Sequence, residues 1–404
     1  MEQVRYGIIG IGTQGSYYMH ALFDGGKIRD GVLVAACDVN PAKIEAAKSA
    51  IATKEDSVLK ELVYFTNYEE MLDSGLCDAV LVEVPHYDHP KLVMACLSRG
   101  IHVICEKPAG VYAKQVKEMN ALAERSNALF GMMFNQRTNC LYRKMREMIA
   151  EGRLGQIQRV TWVITNWYRT QAYYDNGAWR ATWAGEGGGV LFNQSPHQLD
   201  LVSWVVGMQP KTVNGFCHYG KWHDIEVEDD VTAYFEYENG ATGTFITSTG
   251  QHPGTNRFEV VGTRGKLVCE ATSWTDEHLY FTENDTDSVA FSKTSESSFG
   301  VPKSTTVELE TDGKNEQHAG IINNFTAAVL GKEKLFVAGT EGIKGVELMN
   351  AIQYSGWLGG TRVTLPVDED AYLAKLNEFR AISRHKEPGA EKIVDSSGSF
   401  GGAK

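Results

Sequence analysis

The sequence has no long hydrophobic run and no paired cysteine motif, and both absences narrow the class of protein. No apolar stretch reaches the ~18 residues of a membrane-spanning helix, and we expect neither a signal peptide nor a membrane anchor. The seven cysteines form no C-x-x-C pair, and several lie in apolar runs, which indicates reduced core residues and a cytoplasmic protein. The net charge of -12 argues against nucleic acid or an anionic membrane as a partner.

The order of predicted elements indicates two domains. Strands and helices alternate over the first third of the chain, which predicts an α/β doubly wound parallel sheet of six strands. From about Arg137 strands follow one another, and the Asn-Gly pair at 239–240 is typical of a hairpin. We therefore expect a Rossmann domain over 1–135 and an α+β domain with a large, mainly antiparallel open sheet over 136–394. The small polar residues 395–404 predict a flexible tail.

A glycine-rich turn follows the first predicted strand. Gly10, Gly12 and Gly15 match G-x-G-x-x-G at the point where a buried strand gives way to a helix. The first glycine allows the tight turn, the second lets the backbone approach a pyrophosphate, and the third lets helix and strand pack closely. The pyrophosphate would lie at the helix N-terminus, near Thr13 and Gln14, where unpaired N–H groups favour an anion.

An acidic residue lies at the expected distance from this turn. Asp38 ends the second apolar run, close to the interval of about 20 residues at which an acid binds the adenosine ribose hydroxyls. Its charge repels a 2′-phosphate, so NAD is favoured over NADP. Asn40 stands where an arginine could bind that phosphate. The alternative is an ordinary strand-to-helix turn with an ordinary strand-end acid.

Lys107 follows the fifth predicted strand in the tripeptide Glu106-Lys107-Pro108. Ligands in doubly wound sheets bind at the carboxyl ends of the strands, so topology places Lys107 at the cofactor cleft. The pKa of a lysine falls beside an oxidised nicotinamide, which allows it to accept or relay a hydroxyl proton. A surface ion pair between Glu106 and Lys107 explains the same residues, and both interpretations stay open at this point.

A second group of polar residues follows the three glycines at 187–189. Asn193 and His197 are four residues apart, and His197 and Asp200 are three apart, so a helix would present them on one face. Histidine suits proton exchange with an alcohol and ketone pair at neutral pH. The alternative is a core histidine that its neighbours satisfy.

The stretch 166–183 is rich in aromatic residues, arginine and amides. Aromatic faces against C–H-rich rings, with arginine and amides reaching hydroxyls, are typical of a carbohydrate pocket. On this basis Tyr168, Arg169 and Trp183 are candidate substrate contacts, and packing of the same aromatics under a sheet is the alternative. The His-x-x-His spacing at 86–89 lacks a clear third ligand, so no metal is expected.

Together these motifs resemble the Gfo/Idh/MocA family of sugar and inositol dehydrogenases. The most specific are Glu-Lys-Pro after strand five and Gly-Gly-Gly followed by a helix with His-x-x-Asp. The weaker ones are Trp179-Arg180, the segment Asn135-Gln136-Arg137, and the loop Pro85-His86-Tyr87-Asp88-His89, which resembles the family's Pro-Asn-x-x-His loop.

The resemblance implies a catalytic role for Lys107, acid/base catalysis by His197, and a homodimer or homotetramer. It also implies cofactor contacts from Pro85, His86, His89, Glu106, Asn135, Trp179 and Arg180. His86 replaces the family's usual asparagine, and Asn193 stands where many members have aspartate. Because an amide does not exchange a proton at neutral pH, we expect Asn193, with Gln194, to orient the substrate.

These expectations combine into an NAD-dependent dehydrogenase that oxidises a secondary ring hydroxyl of a sugar, glycoside or inositol, with C3 of a glucoside as the narrower hypothesis. Two alternatives stay open. Some family members retain NAD and cleave glycosides by transient oxidation and elimination. A non-catalytic sugar or cofactor sensor on the same fold would be expected to lack the lysine or the histidine, and both are present.

Overall fold

The computed structural model describes residues 2–273, 276–384 and 386. The chain divides into two compact units. Unit 1 is Met1–Thr138 with Asn315–Val346, and unit 2 is Asn139–Lys314 with Glu347–Lys404. The predicted tail at 395–404 lies outside the described residues. Within the described ranges, no helix combines the length and the apolar character needed to cross a membrane.

Unit 1 contains a parallel sheet of six strands, as predicted. These are β1 (Val4–Ile9), β2 (Gly31–Cys37), β3 (Val63–Phe65), β4 (Ala79–Val82), β5 (His102–Cys105) and β6 (Phe130–Met132). Their spatial order, β3-β2-β1-β4-β5-β6, is that of a Rossmann sheet. β4 is buried along its whole length, as expected when helices cover both faces of a parallel sheet.

Helices alternate with these strands, and local sequence explains where they begin. They are α1 (Thr13–Tyr17), which continues as a π-helical turn at Tyr18–Phe23, then α2 (Pro41–Ala52), α3 (Tyr68–Asp73), α4 (His89–Ser98) and α5 (Ala113–Ala123). At the start of α2, the Asn40 side chain accepts a hydrogen bond from the Ala42 N–H, and proline occupies the first helical position, where its missing N–H costs nothing.

Unit 2 contains a nine-stranded sheet, which confirms the predicted large and mainly antiparallel second sheet. The strands are β7 (Ile157–Ile164), β8 (Pro210–Tyr219), β9 (Glu228–Tyr237), β10 (Thr242–Ser248), β11 (Asn256–Gly262), β12 (Gly265–Ser273), β13 (Asp276–Asn284), β14 (Ser304–Glu308) and β15 (Val363–Thr364). Their order is β14-β13-β12-β11-β7-β10-β9-β8-β15. β7 and β10 pair in parallel, and the other described pairs are antiparallel.

The remaining helices follow in chain order. They are α6 (Cys140–Ala150), α7 (Gln171–Asp175), α8 (Pro196–Val206), α9 (Ser288–Thr294), α10 (Gln317–Val329), α11 (Gly342–Trp357) and α12 (Glu369–Ala381). α8 starts with a proline and ends at Gly207, which has a φ of 74°, a left-handed conformation that glycine adopts without strain.

The position of α10 corrects the predicted domain boundaries. Residues 315–346 were expected in the carboxy-terminal domain over 136–394, but they belong to unit 1. The Tyr6 hydroxyl of β1 lies 2.8 Å from Thr326 Oγ1, and a Cβ added to Gly131 of β6 would lie 2.9 Å from the Phe325 ring. The sequence pattern of an apolar helix predicts burial but does not identify the sheet on which the helix packs.

Candidate functional site

The glycine turn has the geometry that a dinucleotide requires. Gly10 has a φ of 99°, and a Cβ there would lie 2.2 Å from the Glu83 carbonyl oxygen. A Cβ at Gly15 would lie 2.0 Å from the Gly10 carbonyl oxygen, whereas nothing lies within 4 Å of the Cβ position at Gly12. The first and third glycines therefore permit close backbone packing, and the second leaves open space for a ligand. Thr13 begins α1 directly after this space.

Asp38 lies at the carboxyl end of β2 and is bound to this turn. Its Oδ2 accepts the Ile11 N–H at 2.9 Å, and its Oδ1 accepts the Asn40 N–H at 2.9 Å. Each carboxylate oxygen has lone pairs beyond these bonds, so Asp38 can still accept from ribose hydroxyls. The open glycine turn and the anchored acid therefore fit NAD.

Two carboxyl groups meet at the ends of β4 and β5. Glu83 and Glu106 directly follow these paired strands, whose register places them side by side. Glu106 accepts hydrogen bonds from the Tyr18 hydroxyl and, at 3.1 Å, from the Lys107 N–H. Both carboxyl oxygens of Glu83 are buried and have no hydrogen-bond partner in the described part of the chain.

This carboxyl pair is protonated unequally. Burial raises the pKa of Glu83 well above its usual value, and the charge of Glu106 raises it further, against the effect of Lys107. Burial also raises the pKa of Glu106, but Lys107 and the Tyr18 hydrogen bond oppose that shift. The surroundings therefore favour the protonated form at Glu83, whereas the two hydrogen bonds donated to Glu106 favour its charged form.

Lys107 has a neutral histidine in its electrostatic surroundings. His318 of α10 packs on two tyrosines, with ring centroids 5.8 Å from Tyr17 and 5.5 Å from Tyr18. Burial lowers the pKa of His318 to about 4, and the positive charge of Lys107 contributes to the shift. His318 is therefore an uncharged imidazole at neutral pH.

The structure shows a structural role for His89 that the sequence did not indicate. Its Nδ1 lies 2.7 Å from the Pro108 carbonyl oxygen, and its Nε2 lies 2.8 Å from the Val84 carbonyl oxygen. The residue is 1% exposed. Burial lowers the pKa of His89, and a neutral imidazole carries one N–H, so one ring nitrogen donates to a carbonyl and the other only faces one. The buried side chain braces the strand-end loops, and its contact with the cofactor stays a prediction.

The other expected cofactor contacts of unit 1 differ in their surroundings. His86 is buried, with its ring centroid 5.8 Å from that of His89, in the short helical turn after Pro85. Asn135 is also buried and donates from Nδ2 to Gln317. Among the described residues, no group of three His, Cys, Asp or Glu side chains could hold a metal ion. The cofactor roles of Pro85, His86 and Asn135 stay predictions.

In unit 2, a buried glutamate organises the three-glycine loop before α8. Glu228 Oε1 accepts the Gly189 N–H at 2.8 Å and the Leu191 N–H at 3.2 Å. The side chain is 0% exposed, and burial raises the pKa of Glu228 to about 7. A Cβ at Gly189 would lie 2.0 Å from the Glu228 carbonyl oxygen. The loop therefore needs glycine because strand β9 approaches its backbone closely.

The turn after this loop shows that Asn193, expected on one helical face with His197 and Asp200, is not part of the helix. α8 begins at Pro196, so Asn193 lies in a turn before the helix and not on the same helical face as His197. His197 and Asp200 do share α8 and its three-residue spacing. His197 is half-buried and Asp200 is buried. The acid/base role of His197 stays a prediction.

Asn193 and Gln194 belong to a hydrogen-bond network whose centre is Tyr173. The Tyr173 hydroxyl donates to Asn193 Oδ1 at 3.1 Å and accepts from Gln194 Nε2 at 3.1 Å and from Arg180 Nη1 at 2.8 Å. Asn193 Nδ2 donates to Glu186. Asn193 is thus held at both ends of its amide, which suits the predicted orienting role better than direct chemistry.

Trp183 is a core residue, and its predicted contact with substrate is wrong. It is 4% exposed, and its ring stacks on Phe379 at a centroid distance of 4.9 Å. Tyr219 and Trp357 lie within 6 Å of it. Trp179 and Arg180, in contrast, are half-buried, with the guanidinium 4.7 Å from the Trp179 ring centroid.

Tyr168 and Arg169, the other two candidate substrate contacts in 166–183, lie on a loop that backbone hydrogen bonds fix. Tyr168 is 49% exposed. The Arg169 N–H donates to the Thr249 carbonyl at 2.8 Å, and the Arg169 carbonyl lies 2.9 Å from His223 Nε2. The other ring nitrogen of His223 lies 3.0 Å from Asp229 Oδ2. Arg169 is therefore fixed at its backbone, which prepares its side chain for a defined position.

Comparison with known proteins extends over most of the chain. Residues 4–134 match a family model described as an oxidoreductase family with an NAD-binding Rossmann fold, and residues 142–268 match the GFO/IDH/MocA C-terminal domain. A trans-1,2-dihydrobenzene-1,2-diol dehydrogenase from Bos taurus is 30% identical over 250 residues, which cover 61% of this chain and 68% of that protein. The chain belongs to the Gfo/Idh/MocA family.

One further relative agrees with this membership, and one solved structure shares the fold. A 1,5-anhydro-D-fructose reductase from Ensifer adhaerens is 27% identical over 232 residues, which cover 57% of this chain and 67% of that protein. The WlbA dehydrogenase from Bordetella pertussis, crystallised with NADH and UDP-GlcNAcA, has the same fold, with a TM-score of 0.73, 24% identity, and coverage of 91% of this chain and 100% of that one. This Gfo/Idh/MocA protein is an oxidoreductase with an NAD-binding Rossmann domain.

Sequence analysis missed several residues that the structure singles out. Tyr18 donates to Glu106, the charge of Lys107 acts on His318, and Tyr173 joins the residues of the unit 2 network. None of these residues belongs to a spaced motif, and the sole signal for Tyr173 was its place in the aromatic stretch.

Proposed function

We propose that this protein is an NAD-dependent dehydrogenase that oxidises a secondary ring hydroxyl of a sugar, glycoside or inositol. The observation that carries the proposal is the position of Lys107, which directly follows β5 and the buried Glu106 in the NAD-binding unit. Ligands of Rossmann sheets bind at these strand ends. The names of the Bos taurus and Ensifer relatives, a dehydrogenase of a cyclic diol and a reductase of an anhydrosugar, support an alcohol or its ketone as substrate.

The proposed chemistry divides between two side chains. When NAD is bound, it supplies a hydride acceptor. Lys107 Nζ stabilises the negative charge that develops on the substrate oxygen. A ring nitrogen of His197 takes the hydroxyl proton, because imidazole is uncharged over much of the neutral pH range. Asn193 orients the substrate without exchanging a proton.

Asp38 supports NAD as the preferred cofactor. Its carboxylate is anchored by two backbone N–H groups at the end of β2, where it would accept from ribose hydroxyls and repel a 2′-phosphate. Lys43 Nζ lies 3.9 Å from this carboxylate, on a side chain that is partly exposed and screened by solvent.

The test is a substrate panel. Purified protein is incubated with free sugars, glycosides and inositols, each with NAD or NADP, and NADH or NADPH formation is followed by absorbance. We expect oxidation of at least one cyclic polyol with NAD preferred. Equal use of NADP would contradict the Asp38 argument, and no oxidation of any polyol together with no reduction of the matching ketones would contradict the proposal.

The narrower form of the proposal is oxidation at C3 of a glucoside. Product analysis by NMR distinguishes a 3-keto product from oxidation at another carbon. Release of the aglycone without accumulation of NADH would instead favour the glycoside-cleaving alternative. The oligomeric state is part of the same proposal, and light scattering is expected to give a homodimer or homotetramer.

A further inference from the structure

Two arginine side chains approach one tyrosine ring in unit 2. The Arg180 guanidinium carbon lies 4.7 Å from the Tyr173 ring centroid, and the Arg169 guanidinium carbon lies 5.2 Å from the same centroid. Both arginines are half-buried. Two positive charges are thus held close together around a single ring.

Within the described residues, the hydrogen bonds of both guanidiniums go to uncharged acceptors. Arg169 Nη1 donates to the Tyr168 carbonyl at 2.9 Å and is within 3.5 Å of the Trp167 carbonyl, and Arg180 Nη1 donates to the Tyr173 hydroxyl. In the described ranges, neither guanidinium forms an ion pair with Asp or Glu. This is unusual for neighbouring half-buried arginines in a chain of net charge -12, since desolvated charges are normally paired.

A buried acceptor without a partner lies beside them. Gln194 is 5% exposed, and its Nε2 is committed to the Tyr173 hydroxyl at 3.1 Å and to Asn193 Oδ1 at 3.3 Å. Its Oε1 has no hydrogen-bond partner among the described residues. A buried acceptor left without a donor is costly, so a donor is expected from outside the protein.

The backbone around the arginines is fixed in advance. The Arg169 N–H and carbonyl are bound by Thr249 and His223, and the Arg180 carbonyl accepts from Lys386 Nζ at 2.8 Å. A site whose groups are held before binding loses less entropy when the ligand arrives. This arrangement is what a binding site requires.

We propose that Arg169 and Arg180, with Tyr173 and Gln194, form a recognition site for the anionic group of a sugar substrate. The two guanidiniums bind a carboxylate or phosphate oxygen pair, and Gln194 Oε1 accepts from a neighbouring sugar hydroxyl. The preferred substrates are therefore sugar acids or sugar phosphates, which we expect to bind more tightly than the corresponding neutral sugars. This inference rests on the proposed function for the sugar itself and adds the charge.

The test compares glucose, glucuronate and glucose 6-phosphate in calorimetric binding to the NADH-loaded protein. We expect at least one anionic sugar to bind about tenfold or more tightly than glucose, because hydrogen bonds between charged groups are stronger than those between neutral groups. The two anionic probes distinguish a carboxylate from a phosphate. Equal affinity for all three sugars, or binding of none of them, would overturn the inference.

Variants assign the preference to these side chains. Arg169→Gln should remove most of the anion preference while changing NADH affinity less than about threefold. Arg180→Gln should remove most of the anion preference as well. Gln194→Glu places a negative charge at the site and should weaken the anionic sugar selectively, even if an arginine variant fails to fold. Arg159→Gln, on an exposed position of β7, is the matched control and should keep the preference.

Two outcomes distinguish a failure of the anion site from a failure of the dehydrogenase proposal. Oxidation of glucose with no preference for the anionic sugars would overturn the anion site and leave the dehydrogenase proposal standing. Preferential binding of an anionic sugar with no oxidation of any polyol would support the anion site and contradict the dehydrogenase proposal. If Arg180→Gln weakens NADH binding and keeps the anion preference, Arg180 contacts the cofactor and the proposed site is wrong.

Discussion

Hydrogen-bond partners separate the side chains that are available for chemistry from those that the fold uses. His89 and Trp183 were both plausible contacts in the sequence, yet the ring nitrogens of His89 face backbone carbonyls and Trp183 is packed among aromatic rings. Gln194 Oε1 and the carboxyl oxygens of Glu83 are buried polar atoms without partners in the described ranges. Such atoms carry an energetic cost in the isolated protein that a ligand or a proton relieves.

Substitution of Lys107 should reduce turnover without much change in NAD affinity. Lys107→Ala removes the cation that we assign to the developing alkoxide, so kcat should fall by about 10²–10³-fold, as when one oxyanion-stabilising donor is removed. NAD affinity, measured by quenching of protein fluorescence, should stay within a few fold. The matched control is Lys91→Ala, an exposed lysine of α4 in the same unit, which should leave both quantities unchanged. Near-normal turnover of Lys107→Ala would contradict the assignment.

Short irregular segments at the ends of regular elements carry most of the candidate groups. The glycine turn after β1, the ends of β4 and β5, and the loop before α8 each depend on close backbone approach or on a buried acid. In the loop before α8, the carboxyl group of Glu228 receives two backbone N–H bonds and is wholly buried. Two hydrogen bonds that hold this loop therefore end on a single ionisable group.

Glu228 gives a prediction for the pH dependence of stability. Its pKa is raised to about 7 in the folded protein from an ordinary value of 4.5, so between these values the folded state binds more protons than the unfolded state. The free energy of unfolding should therefore decrease as the pH rises, by about 2 to 3 kcal/mol between pH 5 and pH 8 from this group. Glu228→Gln, which is neutral at every pH, should lose that decrease.

Denaturant titrations of wild type and variant at several pH values measure this difference. Glu238→Gln changes an exposed glutamate of the same unit, whose side chain is 79% exposed, and should keep the wild-type pH dependence. An identical pH dependence in Glu228→Gln would show that the carboxyl group titrates at its ordinary value.

The chain as a whole is not divided at one point along the sequence. The second segment of unit 1, Asn315–Val346, is separated from the first by the long segment Asn139–Lys314 of unit 2. It supplies Phe325 to the core and His318 to the surroundings of Lys107. The NAD-binding unit thus depends on residues beyond the segment matched by the Rossmann family model, which ends at residue 134.

Paired core variants test this division. Phe325 is 1% exposed and Trp183 is 4% exposed, so each change to alanine should cost about 3–5 kcal/mol in the unit that contains it. Hydrogen exchange should quicken in β1–β6 for Phe325→Ala and in β7–β15 for Trp183→Ala. Faster exchange of β7–β15 in Phe325→Ala, with β1–β6 unchanged, would contradict the placement of α10 in unit 1.

The sequence alone determined the Rossmann sheet, the antiparallel second sheet, the glycine turn and the acid at Asp38. These features follow from apolar periodicity, glycine stereochemistry and short spacings, all of which are local along the chain. Only the tertiary structure decided that α10 packs on the first sheet, that His89 and Trp183 serve the fold, and that Glu83 and His318 surround Lys107. Their neighbours are distant in sequence, and contacts of that kind arise from packing, which no local pattern encodes.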